Sequence, residues 1–205
     1  KSALTGLIGL TNAGGHFGAR LKQAGLAGLV LQGASQTPVY ILIAKETIEI
    51  KDALHLWGKD TWETEELIGT ELQDPNLKRI KVMAIGPAGE NLVRFACLIN
   101  ERYHAAARGG AGAVLGSKKV KAVVIDAKSR PLAANAAFRK AADQATKKIL
   151  DSPVCQKYSR SGALPVSDTA IEVGSLPGKN FQTGILPRWK ETRGMEAIMS
   201  FVTRH

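Results

Sequence analysis

Three glycine-bearing turns carry the residue types best suited to holding an anion. They are Thr11-Asn12-Ala13-Gly14-Gly15, Ile85-Gly86-Pro87-Ala88-Gly89-Glu90-Asn91, and the long run from His104 through Ala105, Ala107, Arg108, Gly109, Gly110, Gly112 and Gly116 to Lys118. Glycine lets a backbone approach a ligand closely. Exposed N–H groups ahead of a helix favour negative charge. Arg108 adds a planar donor fork that matches phosphate. The small residues from Ala105 to Ala107 leave room for a bulky neighbour, and His104 stands at the head of that run. Each turn alone is weak; together they predict contact with an anionic, phosphate-bearing ligand.

Acid–base and nucleophilic sets are missing from the sequence. There is no nucleophile elbow and no convincing pair of carboxylates. His16, His55, His104 and His205 lack metal-ligand spacing, although His16 is placed to cap or line the first turn. Glu63, Glu65 and Glu66 read as a solvated helix face. Gly110-x-Gly112-x-x-x-Gly116 is a loosened dinucleotide fingerprint. A true one opens a helix directly after a buried strand, whereas Ala-Ala-Ala-Arg precedes it here. Cys97 and Cys155 belong to no C-x-x-C pair, which argues against a disulfide framework or zinc and for a reducing, cytoplasmic setting.

Composition frames these residues. Of 205 residues, 44% are hydrophobic and 22% charged, which predicts a packed core. No apolar run is long enough for a membrane span, and none reads as a signal peptide. The chain starts at Lys1, and an upstream portion is expected. The net charge of +10 admits nucleic acid or an anionic ligand as partner. The densest basic cluster is Lys118, Lys119 and Lys121, with Lys147 and Lys148 second. Aromatic residues are 5%, too few for single-strand stacking platforms. Nucleic acid is therefore the weaker reading.

The elements that must position the turns follow from periodicity. Leu7–Thr11 reads as a short apolar strand before the first turn, and His16–Ala24 as a helix ending at Gly25. Val39–Ile43 and Ile48–Ile50 flank Lys45-Glu46-Thr47 as a hairpin. Thr61–Leu72 is predicted helical, with Thr61 as N-cap and an incomplete capping box. Arg79–Ile85 alternates as a strand, Gly86–Gly89 is a turn, and Val120–Ile125 is a buried strand. Asn135–Leu150 is a helix with Phe138, Ala142, Ala145 and Ile149 on one face, ended by Pro153. Residues 151–190 hold four prolines and read as irregular chain. A domain boundary is expected near Arg130, giving residues 1–130 and 131–205.

The order of these motifs is itself informative. The first turn with Phe17-Gly18, then Lys22-x-Ala24-Gly25, Ile85–Asn91, Arg108–Lys118 and Lys179-Asn180-Phe181-Gln182-Thr183-Gly184 together resemble the N-terminal region of the aldehyde ferredoxin oxidoreductase family. The resemblance runs from Lys1 to about Gly184. It implies an α+β fold in which two β-sheets cradle a pterin cofactor, followed by the beginning of a helical domain. It implies tungsten, or molybdenum, held by a bis-pterin with no side-chain ligand, and a [4Fe–4S] cluster that passes electrons to ferredoxin or another iron–sulfur carrier. A small aldehyde is the implied substrate, oxidised to a carboxylate, and a homodimer the implied assembly.

By position, the resemblance makes the carbonyls of Asn12 and Ala105 contacts to a phosphate-bridging magnesium ion. Gly14, His104, Ala107 and Arg108 would line the pterin phosphates. Family members often carry Arg where His104 stands and Gly where Ala107 stands. The resemblance also places a pterin-binding arginine upstream of Lys1 and the cluster cysteines beyond His205, so that Cys97 and Cys155 match neither. Two other readings stay open: a basic nucleic-acid-binding module, and a cofactor-free structural fragment.

Overall fold

The strongest apolar runs become the centre of a sheet. In the computed structural model, which describes residues 1–44, 47–127, 135–192 and 200, six strands form one mixed sheet in the order β2-β1-β6-β3-β4-β5. They are β1 (Val39–Ala44), β2 (Thr47–Asp52), β3 (Ile80–Ala84), β4 (Leu98–Asn100), β5 (His104–Ala106) and β6 (Val120–Asp126). Only β1 and β6 run parallel; the other neighbours are antiparallel. The α+β class stands. Among the described residues there is one sheet where two were expected. The Leu7–Thr11 segment pairs with no strand, and Leu7, Ile8 and Leu10 are 73%, 90% and 87% exposed.

Strand alternation sends side chains to both faces of this sheet. Tyr40, Leu42, Val82, Ala122 and Val124 pack with Ile68 of helix α2 (Thr61–Glu71) on one face. Ile41, Ile43, Val123 and Ile125 pack with Phe17 and Leu21 of helix α1 (Phe17–Gln23), and with Leu26, Leu29 and Leu31, on the other. Strands buried on both faces read as continuous apolar runs, as β1 and β6 do.

The N-cap of α2 is Asp60, one residue ahead of the expected Thr61. Its carboxylate accepts from the Trp62 and Glu63 N–H groups, and Glu63 accepts from the Asp60 N–H, so the capping box is complete. Glu65 is not on a solvated face: it is 1% exposed, and burial pushes its carboxyl up despite the Arg102 N–H bound to it.

Gly86–Glu90 is a short helix rather than a plain turn: α3 (Pro87–Glu90), with Gly86 at the N-cap and Pro87 in its first turn. Proline is preorganised for that position. Helix α4 (Ala111–Ser117) packs on α3 so closely that a Cβ at Gly116 would collide with the Gly89 carbonyl. Gly89 and Gly116 therefore serve helix–helix approach.

The chain divides into two compact units, Lys1–Leu132 and Ala133–His205. The second holds α5 (Ala136–Leu150), α6 (Pro153–Ser161), α7 (Leu164–Glu172) and α8 (Trp189–Thr192). The expected boundary residue Arg130, and the hairpin turn at Lys45-Glu46, lie outside the described residues. Asn135 caps α5 as an acceptor for the Phe138 N–H. Residues 151–190 are more helical than predicted. Pro153 starts α6 behind the Ser152 cap, and Pro165 sits in the first turn of α7. Proline costs little there because the first-turn N–H groups lack helical partners anyway. Among the described residues, no helix is long and apolar enough to cross a membrane.

Candidate functional site

The candidate site forms where the first glycine turn lies along the open edge of the sheet. Strand β5 is that edge, and it carries His104 and Ala105. It is joined to β4 by residues 101–103, with Asn100 paired to His104 and Ile99 to Ala105. The Thr11 hydroxyl accepts the Arg108 N–H at 3.3 Å, 97 residues away in sequence. The Asn100 amide donates to the Gly14 carbonyl at 3.3 Å and to the His104 carbonyl at 3.4 Å. A Cβ added at Gly14 would lie 2.8 Å from His104 Nδ1. The first and third turns, 90 residues apart at Gly14 and His104, are thus one place in the fold.

Asn12, Gly14, His104, Ala107 and Arg108 are exposed there, and Ala105 is half-buried. Ala107 avoids positive φ, so its methyl is accommodated without strain. The backbone N–H of Arg108 is taken by Thr11, while among the described residues its guanidinium has no ion-pair or hydrogen-bond partner. The second turn is not brought here by any contact of its own. Its Glu90 turns inward, accepting from the Gly58 N–H at 2.8 Å and from the Lys121 ammonium at 2.5 Å.

The local electrostatics hinge on Glu101. Its Oε2 accepts the His16 backbone N–H at 2.5 Å, and its Oε1 faces His16 Nδ1 at 3.0 Å and Lys81 Nζ at 2.9 Å. Burial pushes this carboxyl up, but the His16 N–H, Lys81 and the His16 ring outweigh it and hold it at about 2. His16 is the N-cap residue of α1, without capping through its side chain; its ring serves Glu101 instead. Because the folded value lies below the ordinary 4.5, this contribution is complete above that pH and is lost as pH falls toward 2. It is worth roughly 3 kcal/mol. The thermal-stability gap between wild type and Glu101→Gln is expected to close across that window in an acid titration.

The site fits a phosphate-bearing group. It offers a guanidinium at Arg108 without a partner among the described residues, and the exposed backbone of Asn12 and Gly14. The nearby carboxylate is already engaged by Lys81. Carbonyl oxygens such as those of Asn12 and Ala105 are suitable ligands for a hard cation. Among the described residues, no group of three His, Cys, Asp or Glu side chains is placed to hold a metal. Cys97 and Cys155 are free and half-buried. The densest basic cluster is spent internally: Lys118 and Lys119 donate to the Gly33 and Gln36 carbonyls, and Lys121 is buried.

The family profile described as "Aldehyde ferredoxin oxidoreductase, N-terminal domain" matches residues 1–127. The chain belongs to the aldehyde ferredoxin oxidoreductase family. It is 42% identical over its whole length to the tungsten-containing aldehyde ferredoxin oxidoreductase of Pyrococcus furiosus, and 40% identical to that of Thermococcus kodakarensis. In each case it spans 34% of the relative, about a third of the length of these curated proteins. An aliphatic sulfonate oxidoreductase, WOR-like subunit, from Pyrococcus furiosus is 38% identical over 53% of the chain and 19% of that protein. Among solved structures, the active-site complex BamBC of benzoyl coenzyme A reductase superposes with a TM-score of 0.57. That match has 34% identity and covers 80% of this chain and 22% of the other.

Asn100, Glu101 and Lys81 organise the site without standing out in the sequence. Asn100 and Glu101 sit in a polar turn whose composition looks like any loop; only the pairing of β4 with β5 gives them their targets.

Proposed function

We propose that the first unit holds the phosphate end of a tungsten- or molybdenum-bis-pterin cofactor in an oxidoreductase that converts an aldehyde to a carboxylate. The observation that carries this reading is the joining of the first turn to edge strand β5, through the Thr11–Arg108 bond and the Asn100 bridge from Gly14 to His104. In this reading the Asn12 and Ala105 carbonyls would hold a magnesium ion that offsets the phosphate charge. Gly14 and Ala107 would line the phosphates with exposed backbone, His104 would donate one hydrogen bond, and Arg108 would supply charge and a fork of donors. The names of tungsten-containing relatives that match over the whole chain support the metal.

When bound, the metal–pterin supplies oxo transfer coupled to a two-electron oxidation, and the protein supplies binding, orientation and electrostatics. The residues of this chain would hold and orient the group. A [4Fe–4S] cluster, held by residues outside this chain, would carry the electrons on to ferredoxin. The substrate class rests on the aldehyde enzymes named among the relatives, which match far more of the chain than the sulfonate relative does.

Elemental analysis of anaerobically purified full-length protein, with pterin fluorescence, tests this. Tungsten or molybdenum, with magnesium and oxidised pterin, is expected in near-stoichiometric amounts. Material lacking both tungsten and molybdenum refutes the reading.

A further inference from the structure

We propose that Asn100 and Glu101 form a clamp that fixes the spacing of the two backbone segments at the candidate site, acting as positioning residues that do not touch the ligand. The proposal deepens the reading above and rests on it for the ligand's identity, but its geometry stands separately.

Asn100 is fully buried at the end of β4. Its amide donates to the carbonyl two residues beyond Asn12 and to the carbonyl one residue before Ala105. One side chain therefore spans both segments from which the proposed magnesium contacts come. Its orientation is forced, because both partners are carbonyl oxygens and only the NH₂ end of an amide can face them. The cost is visible at the other end: among the described residues, Asn100 Oδ1 is buried without a hydrogen-bond partner. Buried polar atoms are nearly always paired, and an exception asks for an explanation. Holding two backbone segments together supplies one.

Glu101 fastens the other flank of the same turn. Its carboxylate takes the His16 N–H, one residue past Gly15, and the His16 ring. Lys81, on the interior strand β3, anchors it to the sheet. The turn is bent to reach: Glu101 and Arg102 both take positive φ, at 46° and 64°. Non-glycine residues adopt that region at a cost and keep it where surrounding structure imposes it. Glu65 of α2 holds the Arg102 N–H from the far side at 3.3 Å. Lys81 balances the charge of Glu101, and Asn100 is neutral, so the clamp adds no net negative charge beside an anion.

Full-length Asn100→Asp and Glu101→Gln variants test this, with Glu66→Gln as control. Glu66 pairs with Arg102 of the same turn at the surface. Two readouts apply: amide hydrogen exchange at His16 against β6, and the rate at which a chelator withdraws magnesium. Both clamp variants are expected to speed His16 exchange and magnesium loss at least tenfold beyond any change in β6 protection, which reports only the global stability that Glu101→Gln also loses. Glu66→Gln should leave both rates alone. A merely structural role would move β6 protection in step with His16. Wild-type rates in both clamp variants, or parallel loss of β6 protection, overturn the clamp. If Asn100→Asp does not accumulate, Glu101→Gln decides by the same rates. Wild-type protein without magnesium and metal–pterin defeats the proposed function alone; the exchange measurements then still decide the clamp.

Discussion

Glu90→Ala is expected to destabilise the first unit by about 3–5 kcal/mol, the cost of leaving a buried charge without its partner. Lys121 is 0% exposed, and its ammonium touches the Glu90 carboxylate at 2.5 Å and the Lys59 carbonyl at 2.6 Å. The residue sits at a register shift, skipped as β6 pairs with β1 between Val120 and Ala122. Such a bulge re-aims a side chain, here toward the gap between α3 and the loop before α2. Burial pushes its ammonium below the ordinary 10.5, against the upward pull of Glu90. Thermal unfolding of Glu90→Ala should fall by roughly 10 °C. Glu90→Ala/Lys121→Met should recover most of the loss, because no charge is then stranded. The sign of the pH effect follows. A lysine whose folded value is depressed is stabilised as pH rises between the folded and unfolded values. The defect of Glu90→Ala should therefore shrink as pH is raised toward the ordinary 10.5. A double variant no more stable than the single one would show that packing, rather than charge, sets the cost.

Such a pair could not be read from the sequence, and the reason separates what was legible from what was not. Strands β1, β3 and β6 and helix α2 follow from local periodicity, because their apolar residues mark faces that must be buried somewhere. Val120–Ile125 needed no knowledge of its neighbours to be read as a buried strand. Leu7–Thr11 has the same composition but finds no pairing partner among the described residues, and strand formation depends on one. Pro153 and Pro165 start helices in a stretch whose prolines suggest irregular chain, since the same ring that stops a helix interior fits its first turn.

The site shows the same division. His104, Arg108 and the first glycine turn stand out by residue type. The glycines of the second and third turns stood out equally, yet Gly89 and Gly116 are occupied with each other. No local signal tells a glycine that admits a ligand from one that admits a helix. Asn100 and Glu101 are the converse case: ordinary polar residues made decisive by the non-local closure of β4 on β5 and of the first turn upon both.

Gly15→Ala is the second large effect expected, and Gly14→Ala is its proper comparison. Gly15 has φ +83°, where an alanine is strained by about 1 kcal/mol. Its new methyl would also strike Glu101 Oε2, and would lie 2.5 Å from Asn100 Oδ1 and 2.8 Å from His104 Cδ2. Asn100 is fully buried and bonded to two carbonyls, and Glu101 is held by Lys81 and His16. Neither can withdraw cheaply, so the total approaches about 3 kcal/mol with overpacking included. At Gly14 the three nearest atoms belong to the exposed His104 ring, 2.8 Å away at Nδ1, which can swing aside. Gly14→Ala should cost less than about 1 kcal/mol, the range for a change that needs no backbone shift. Full-length Gly15→Ala is therefore expected to lose bound metal at least tenfold relative to wild type, as measured by elemental analysis. Gly14→Ala should keep the fold and perturb chiefly the His104 imidazole, visible as a shifted ring resonance. Equal metal loss in both variants would mean that bulk at the turn matters and the positive φ of Gly15 does not.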